Sequence, residues 1–224
     1  MNFDSELYSP QCIPVESSKR FVKKILPELG WDKNIEDEVV MDVGCGAGGT
    51  TAKLIFPLFT HSKKIFAVDF LPGMIDLAKR ENSHPLIEYS VANIGDWSTV
   101  KQWEDQITKL VSIHCFEWVK DQKKCFQNVF KLLKKDGQAA LCFVLQSSFY
   151  DSVLEIEKNA KWRKFFEGID NYVSESHYKK YDYFYYKQIL EDIGFDIVYC
   201  REEVKMMYFL LTKNTKIFSH RSAS

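Results

Sequence analysis

The run Val39-Val40-Met41-Asp42-Val43-Gly44-Cys45-Gly46-Ala47-Gly48-Gly49 sets an acid and a cluster of glycines directly behind a short apolar stretch. Such a pattern is expected of a buried strand that delivers its carboxyl end to a nucleotide-like ligand, where backbone amides and a helix N-terminus converge. Glycine suits the turn because it tolerates positive φ and lets a ligand approach the backbone closely. Two spacings coexist here. Gly44, Gly46 and Gly49 satisfy G-x-G-x-x-G, with Asp69 twenty residues beyond, as a dinucleotide fingerprint asks. Asp42, Gly44, Gly46 and Gly48 equally satisfy D-x-G-x-G-x-G. A carboxylate at Asp42 would complement a ligand ammonium and oppose a pyrophosphate, which favours the second spacing while leaving the first open.

Three further clusters could do chemistry. Lys64-Ile65-Phe66-Ala67-Val68-Asp69 reads as a second buried strand ending in an acid. A carboxylate there can accept from both hydroxyls of a ribose. Phe70 and Met74 lie on either side of the Pro72-Gly73 turn that follows. Asn93 and Ile94 follow a third strand, where an amide carbonyl can accept from an adenine amino group and a backbone N–H can reach a ring nitrogen. Finally, His114-Cys115-Phe116-Glu117-Trp118-Val119-Lys120-Asp121-Gln122 follows a fourth strand. Trp118 offers an indole N–H on an apolar body, suited to orienting a polar group in an apolar channel.

These groups need a frame of alternating strands and helices. Strands are expected at 39–43, 64–69, 86–91, 110–114, 139–145 and 195–200, with helices near 15–26, 74–80, 100–106, 121–133, 150–158, 160–166 and 188–193. Cys125, Phe126, Val129, Phe130 and Leu133 share one helical face, and Gly137 is expected to close that helix. Such alternation implies parallel pairing with right-handed crossovers, an α/β doubly wound sheet. Residues 146–186 interrupt the pattern with 12 aromatics, too many for a solvated insertion; they are expected to form a secondary core, to wall an apolar pocket, or both.

Composition excludes several classes. The balance of 30 basic and 31 acidic residues argues against a polybasic surface for nucleic acid while leaving a local patch open. No apolar run reaches the ~18 residues of a membrane span, and Met1 to Pro14 lacks a signal-peptide pattern. The six scattered cysteines and five histidines show no C-x-x-C pair and no metal-ligand spacing, so free thiols, a cytoplasmic location and no metal are expected.

With the Trp118-Val119-Lys120-Asp121-Gln122 segment and the amphipathic helix after it, the chain resembles the arthropod juvenile hormone acid O-methyltransferase family. The Asp42 motif and Val68-Asp69-Phe70-Leu71-Pro72-Gly73-Met74 resemble the first two motifs of class I methyltransferases in general. Further matches are Leu7-Tyr8, Trp31, Lys161-Trp162, Asp170 and Ile193-Gly194-Phe195. The resemblance implies a Rossmann-like domain over 1–212, with a cofactor-binding core at 15–145, a helical substrate-lid insertion at 146–186 and a disordered tail at 213–224. It implies S-adenosylmethionine as cofactor, held by Asp42, Gly44, Cys45, Gly46, Gly48, Asp69, Phe70, Met74, Asn93, Ile94 and His114. Trp118 and Glu117 are the implied catalytic pair, and the substrate is a small apolar acid of the farnesoate kind. An ionised carboxylate acceptor needs no general base, only alignment.

The chain departs from the family in two ways. Glu117 stands where the family has His, and the family's acceptor-binding glutamine falls near Pro14 or Val15. The family also continues beyond this chain's end, so a final antiparallel strand is expected to be missing. Phe195–Cys200 would then form an exposed edge that invites homo-oligomers. A methyltransferase-like protein that binds cofactor without turnover, and an NAD-dependent oxidoreductase, are the competing readings.

Overall fold

A computed structural model describes residues 15–31, 36–166 and 168–204. Its frame is a five-stranded, all-parallel sheet in the order β3-β2-β1-β4-β5. The strands are β1 (Val39–Val43), β2 (Lys64–Asp69), β3 (Ile87–Val91), β4 (Ile107–Ile113) and β5 (Leu133–Cys142). The first strand pairs with both β2 and β4, Met41 lying opposite Phe66 on one side and Leu110 on the other. The chain therefore winds outward from β1 through β2 to β3, then crosses back to begin again at β4. Ligands of such sheets sit at the carboxyl ends of the strands on either side of that reversal.

Strand alternation sends neighbouring side chains to opposite faces, and each face has its own helical layer. Val40, Ile65, Ala67 and Val111 pack with Val22 and Leu26 of the N-terminal helix, Ile55, and Ile75 and Ala78 of the Pro72–Glu81 helix. Met41, Val43, Val68 and Leu110 pack on the other face with Phe126, Val129 and Leu132 of the Gln122–Leu132 helix and Tyr186 of the Tyr183–Ile193 helix. Phe116 and Phe126 stack 4.9 Å apart beneath the turn that carries Glu117 and Trp118.

Local chemistry explains most element ends. Asp121, Ser147, Ser174 and Asp182 each accept from a backbone amide at the start of a helix, and Gly194 ends the last one in a left-handed conformation. Several helix and strand boundaries differ from expectation, among them the last helix, which starts at Tyr183, and four differences have a local cause. The helix expected near 100–106 begins earlier, at Trp97, because Asp96 caps it by accepting from Ser98. Gly137 does not close the Gln122–Leu132 helix but lies within β5, which starts at Leu133. A side chain at Gly137 would come within 2.8 Å of two carbonyl oxygens, Ile107 and Lys134, so the irregular start of β5 needs a glycine there. The helix expected at 160–166 is a single tight turn, Arg163–Phe165.

The fourth difference is larger. The strand expected at 195–200 is absent: Phe195 packs edge-on to Phe130 at 5.1 Å, Val198 is 83% exposed, and the segment joins no ladder, its Glu203 pairing instead with Arg20. Strand propensity in Ile197, Val198 and Tyr199 is not enough without a ladder to join. Among the described residues, the outer edge of the sheet is β5.

The tail expected to be disordered, the segment 205–212 and Cys12 lie outside the described residues. The other five cysteines are free thiols. Among the described residues no group of His, Cys, Asp or Glu could hold a metal, and no helix is long and apolar enough to cross a membrane.

Candidate active site

The β1 turn is built as the glycine spacing requires. Gly44, Gly46 and Gly48 have φ of 78°, 54° and 79°, values at which side chains other than glycine are strained. A Cβ at Gly46 would meet nothing within 4 Å, so this turn presents bare backbone to the crevice. Behind it the packing is tight. A Cβ at Gly44 would fall 2.5 Å from Cys115 Cβ and Sγ, and one at Gly48 would fall 2.7 Å from Tyr89 Oη. Tyr89 Oη donates to the Asn82 carbonyl at 3.0 Å, and Asn82 Nδ2 donates to the Ala47 carbonyl at 2.7 Å. Two neighbouring elements therefore clamp the turn from below.

Asp69, at the end of β2, faces the same place. Gly46 N–H donates to its Oδ2 and Leu71 N–H to its Oδ1, each at 3.0 Å. Burial raises its pKa above the usual carboxylate range, and these amides oppose the rise. Phe70, beside it, is 47% exposed and flanks the crevice. Met74, in contrast, is buried with Ala47, Leu77 and Leu71 under the turn. Asn93 is exposed beyond β3, and its Oδ1 accepts from Gly95 N–H at 2.9 Å. Ile94 is buried, with its carbonyl accepting from Asn128. The cradle of open glycine backbone, a ribose-competent carboxylate and an exposed ring fits S-adenosylmethionine in chemical kind.

Asp42 lies beneath this cradle, 3% exposed, with Oδ2 accepting from Thr51 Oγ1 at 2.6 Å. Burial pushes its pKa up to about 7; the Thr51 hydrogen bond opposes the shift and the nearby Asp69 carboxylate adds to it. Cys45 is buried alongside, its thiol pushed up by burial and by the same two carboxylates. The folded-state value of Asp42 lies above the 3.8 of an ordinary aspartate, so the folded protein keeps a proton that the unfolded chain releases between about pH 4 and 7. Stability should therefore fall as pH rises through that window, by roughly 4 kcal/mol. Urea unfolding of the ligand-free protein at pH 5 and pH 8 should show this fall, and Asp42→Asn should remove most of it. An equal slope in the variant would assign the loss elsewhere.

On the other side of the sheet reversal, His114 leaves β4 with φ of 57°, anchored by its N–H donating to the Cys142 carbonyl at 2.8 Å. Its Nε2 lies 2.8 Å from Ser17 Oγ, and its Nδ1 lies 3.3 Å from Glu117 Oε1. Glu117 is 5% exposed and turned inward, whereas Trp118, next to it, is 43% exposed. The turn bearing both is fixed by Gln122, whose Nε2 donates to the Phe116 carbonyl at 2.7 Å while its Oε1 accepts from Tyr186 Oη at 2.8 Å. Ser17 was not among the residues singled out in the sequence. Nothing in the spacing links it to His114, 97 positions away, and only the docking of the first helix on the sheet joins them.

The aromatic insertion divides its rings. Tyr150 is buried, feels the Glu117 carboxylate, and packs edge-on to His177 at 5.2 Å; its hydroxyl is pushed up to about 12, chiefly by burial. Phe149, Trp162, Phe165 and Phe184 are exposed. Ser17, His114, Cys142, Leu145, Phe149 and Tyr186 are among the residues bordering an open trough of about 2780 Å³ along the β5 side of the sheet.

The geometry described so far defines an α/β domain with an open glycine turn at its sheet reversal. The Methyltransferase domain family matches residues 16–199, and the chain belongs to that family. Its class uses S-adenosylmethionine as methyl donor, which decides the double reading of the glycine spacing against a nicotinamide dinucleotide. Among curated relatives, the chain is 24% identical over 180 residues to juvenile hormone acid O-methyltransferase of Drosophila melanogaster, covering 80% of this chain and 60% of that protein. It is 27% identical over 170 residues to the Bombyx mori protein of the same name, covering 75% and 59%. The chain thus spans about three fifths of the length of these relatives. A chain in the complex of the Haloferax volcanii Trm112 methyltransferase activator superposes with a TM-score of 0.56 at 16% identity, over 80% of this chain and 69% of that one. At that identity the likeness speaks for the fold alone.

Proposed function

We propose that this protein transfers the methyl group of S-adenosylmethionine to a carboxylate oxygen of a small apolar acid, of the juvenile hormone acid or farnesoate kind. The observation that carries the acceptor assignment is Trp118, a half-exposed indole on a turn held by Gln122 and Tyr186 beside the sheet reversal. The two insect relatives, named for this reaction, support the same reading. Bound at the β1 turn, the cofactor supplies an electrophilic methyl group on a sulfonium. Asp69 and the open backbone at Gly46 would hold its nucleoside, with Phe70 beside it. The indole N–H of Trp118 orients the acceptor carboxylate, which is ionised at neutral pH and needs no proton removed. Glu117, the residue that would repel such an acceptor, points away toward His114.

Incubation with methyl-labelled S-adenosylmethionine and either farnesoic or decanoic acid should give the methyl ester. Trp118→Ala should lower kcat/KM for the acid at least tenfold while S-adenosylhomocysteine binds as before. Cofactor binding without ester from either acid would favour the competing reading, a methyltransferase-like protein that binds without turnover.

A further inference from the structure

Carboxylate methylation requires no base, yet the site carries the parts of one. Ser17, His114 and Glu117 come from the first helix, the end of β4 and the turn after it, and they meet in a line through the two ring nitrogens. A carboxylate on Nδ1 places the proton there, so that Nε2 accepts from the Ser17 hydroxyl and is the basic end of the ring. His114 holds a left-handed backbone that a non-glycine residue adopts only when its surroundings impose it. Glu117 serves the ring alone: one carboxylate oxygen lies on His114 Nδ1, and the other is buried with no hydrogen-bond partner among the described residues. The array also lies where the cofactor cradle ends: Cys115, next in sequence to His114, fills the space against Gly44. Ser17 and His114 open on the trough.

We propose that Ser17, His114 and Glu117 form a base that lets this site methylate the hydroxyl of a small apolar phenol, a second acceptor class beside the carboxylate. The proposal rests on the methyl-transfer reading given above. The acceptor hydroxyl donates to Ser17 Oγ. As its oxygen forms the new bond to the methyl carbon, the carbon–sulfur electron pair stays with sulfur. The acceptor proton then passes to Ser17 Oγ while the Ser17 proton passes to Nε2. The imidazolium so formed is balanced by Glu117, and its proton is later lost to solvent. His114 and Ser17 are thereby catalytic, and Glu117 is a positioning residue that fixes the tautomer and holds the charge.

The test uses the whole chain with 4-hexylphenol and decanoic acid as acceptors. Wild-type protein should form 4-hexylanisole. His114→Asn, chosen because asparagine tolerates the left-handed backbone, should lower kcat/KM for the phenol at least about a hundredfold, and Ser17→Ala and Glu117→Gln about tenfold each. Two readouts do not depend on turnover. Nitrogen–proton correlation spectra should show His114 protonated on Nδ1, with that state lost in Glu117→Gln. In the complex with S-adenosylhomocysteine, calorimetry should show 4-hexylphenol binding at least tenfold tighter than 4-hexylanisole. Methyl transfer to decanoic acid but not to the phenol would overturn this inference and leave the carboxylate reading standing. Transfer to the phenol alone would do the reverse, and transfer to neither would remove both. Full activity on the phenol in folded His114→Asn and Ser17→Ala would also overturn it.

Discussion

Asp69→Ala is expected to weaken S-adenosylhomocysteine binding by about 1.5–3 kcal/mol, roughly tenfold to a hundredfold or more in Kd. Two losses combine in that figure. A carboxylate that can accept from both ribose hydroxyls disappears, and the amides of Gly46 and Leu71 lose the acceptor that holds them. Asp69→Asn separates the two, because its single carbonyl oxygen can accept from at most two of the four partners. It should fall between the parent and the alanine variant. Calorimetric titration of the three proteins checks the order, and an alanine variant with unchanged affinity would reject the ribose role.

Gly44→Ala should be the most damaging single methyl group in the molecule. The new Cβ would sit 2.5 Å from Cys115 Cβ and Sγ, at a φ of 78° that alanine adopts only under strain. Overpacking and strain together should remove about 3–5 kcal/mol of stability, which in a domain of this size lowers Tm by roughly 6–15 °C. Because the obstruction is one side chain, Cys115→Gly in the same protein should restore a good part of the loss, leaving mainly the backbone strain. Thermal melts of the two single variants and the double variant read the coupling directly. Additive losses would mean that the turn, not Cys115, sets the requirement for glycine.

The strand, turn and strand that carry Asp42 and Asp69 were legible because their demands are local. Asp42, the glycines and Asp69 owe their places to a strand, a turn and a second strand, each written in a few consecutive residues, and the parallel pairing of Met41 with Phe66 brings them together. Met74 shows where spacing misleads: its position after Asp69 matches an adenine contact, but the Pro72–Glu81 helix turns it under the turn with Ala47 and Leu77. The acceptor end depends on contacts between distant segments. Glu117 and Trp118 are adjacent in sequence and face opposite ways because Gln122 and Tyr186 tie down the turn between them. Ser17 could not be found from spacing at all. The strand expected at Phe195–Cys200 failed for a related reason, since β propensity cannot supply the partner that Phe195 exchanges for Phe130.

The clamp beneath the glycine turn has a thermodynamic reach beyond holding a shape. With Tyr89 and Asn82 gripping the carbonyls at Asn82 and Ala47, and Gly44 and Cys45 both donating to Val68, the glycine turn has surrendered its conformational freedom during folding. Docking then need not order that loop again, so more of the contact enthalpy survives as affinity. Protein stability and ligand affinity are coupled through these few bonds. A substitution at Tyr89 or Asn82 that never touches a ligand would tax every molecule that binds there, donor and spent product alike, and in equal measure.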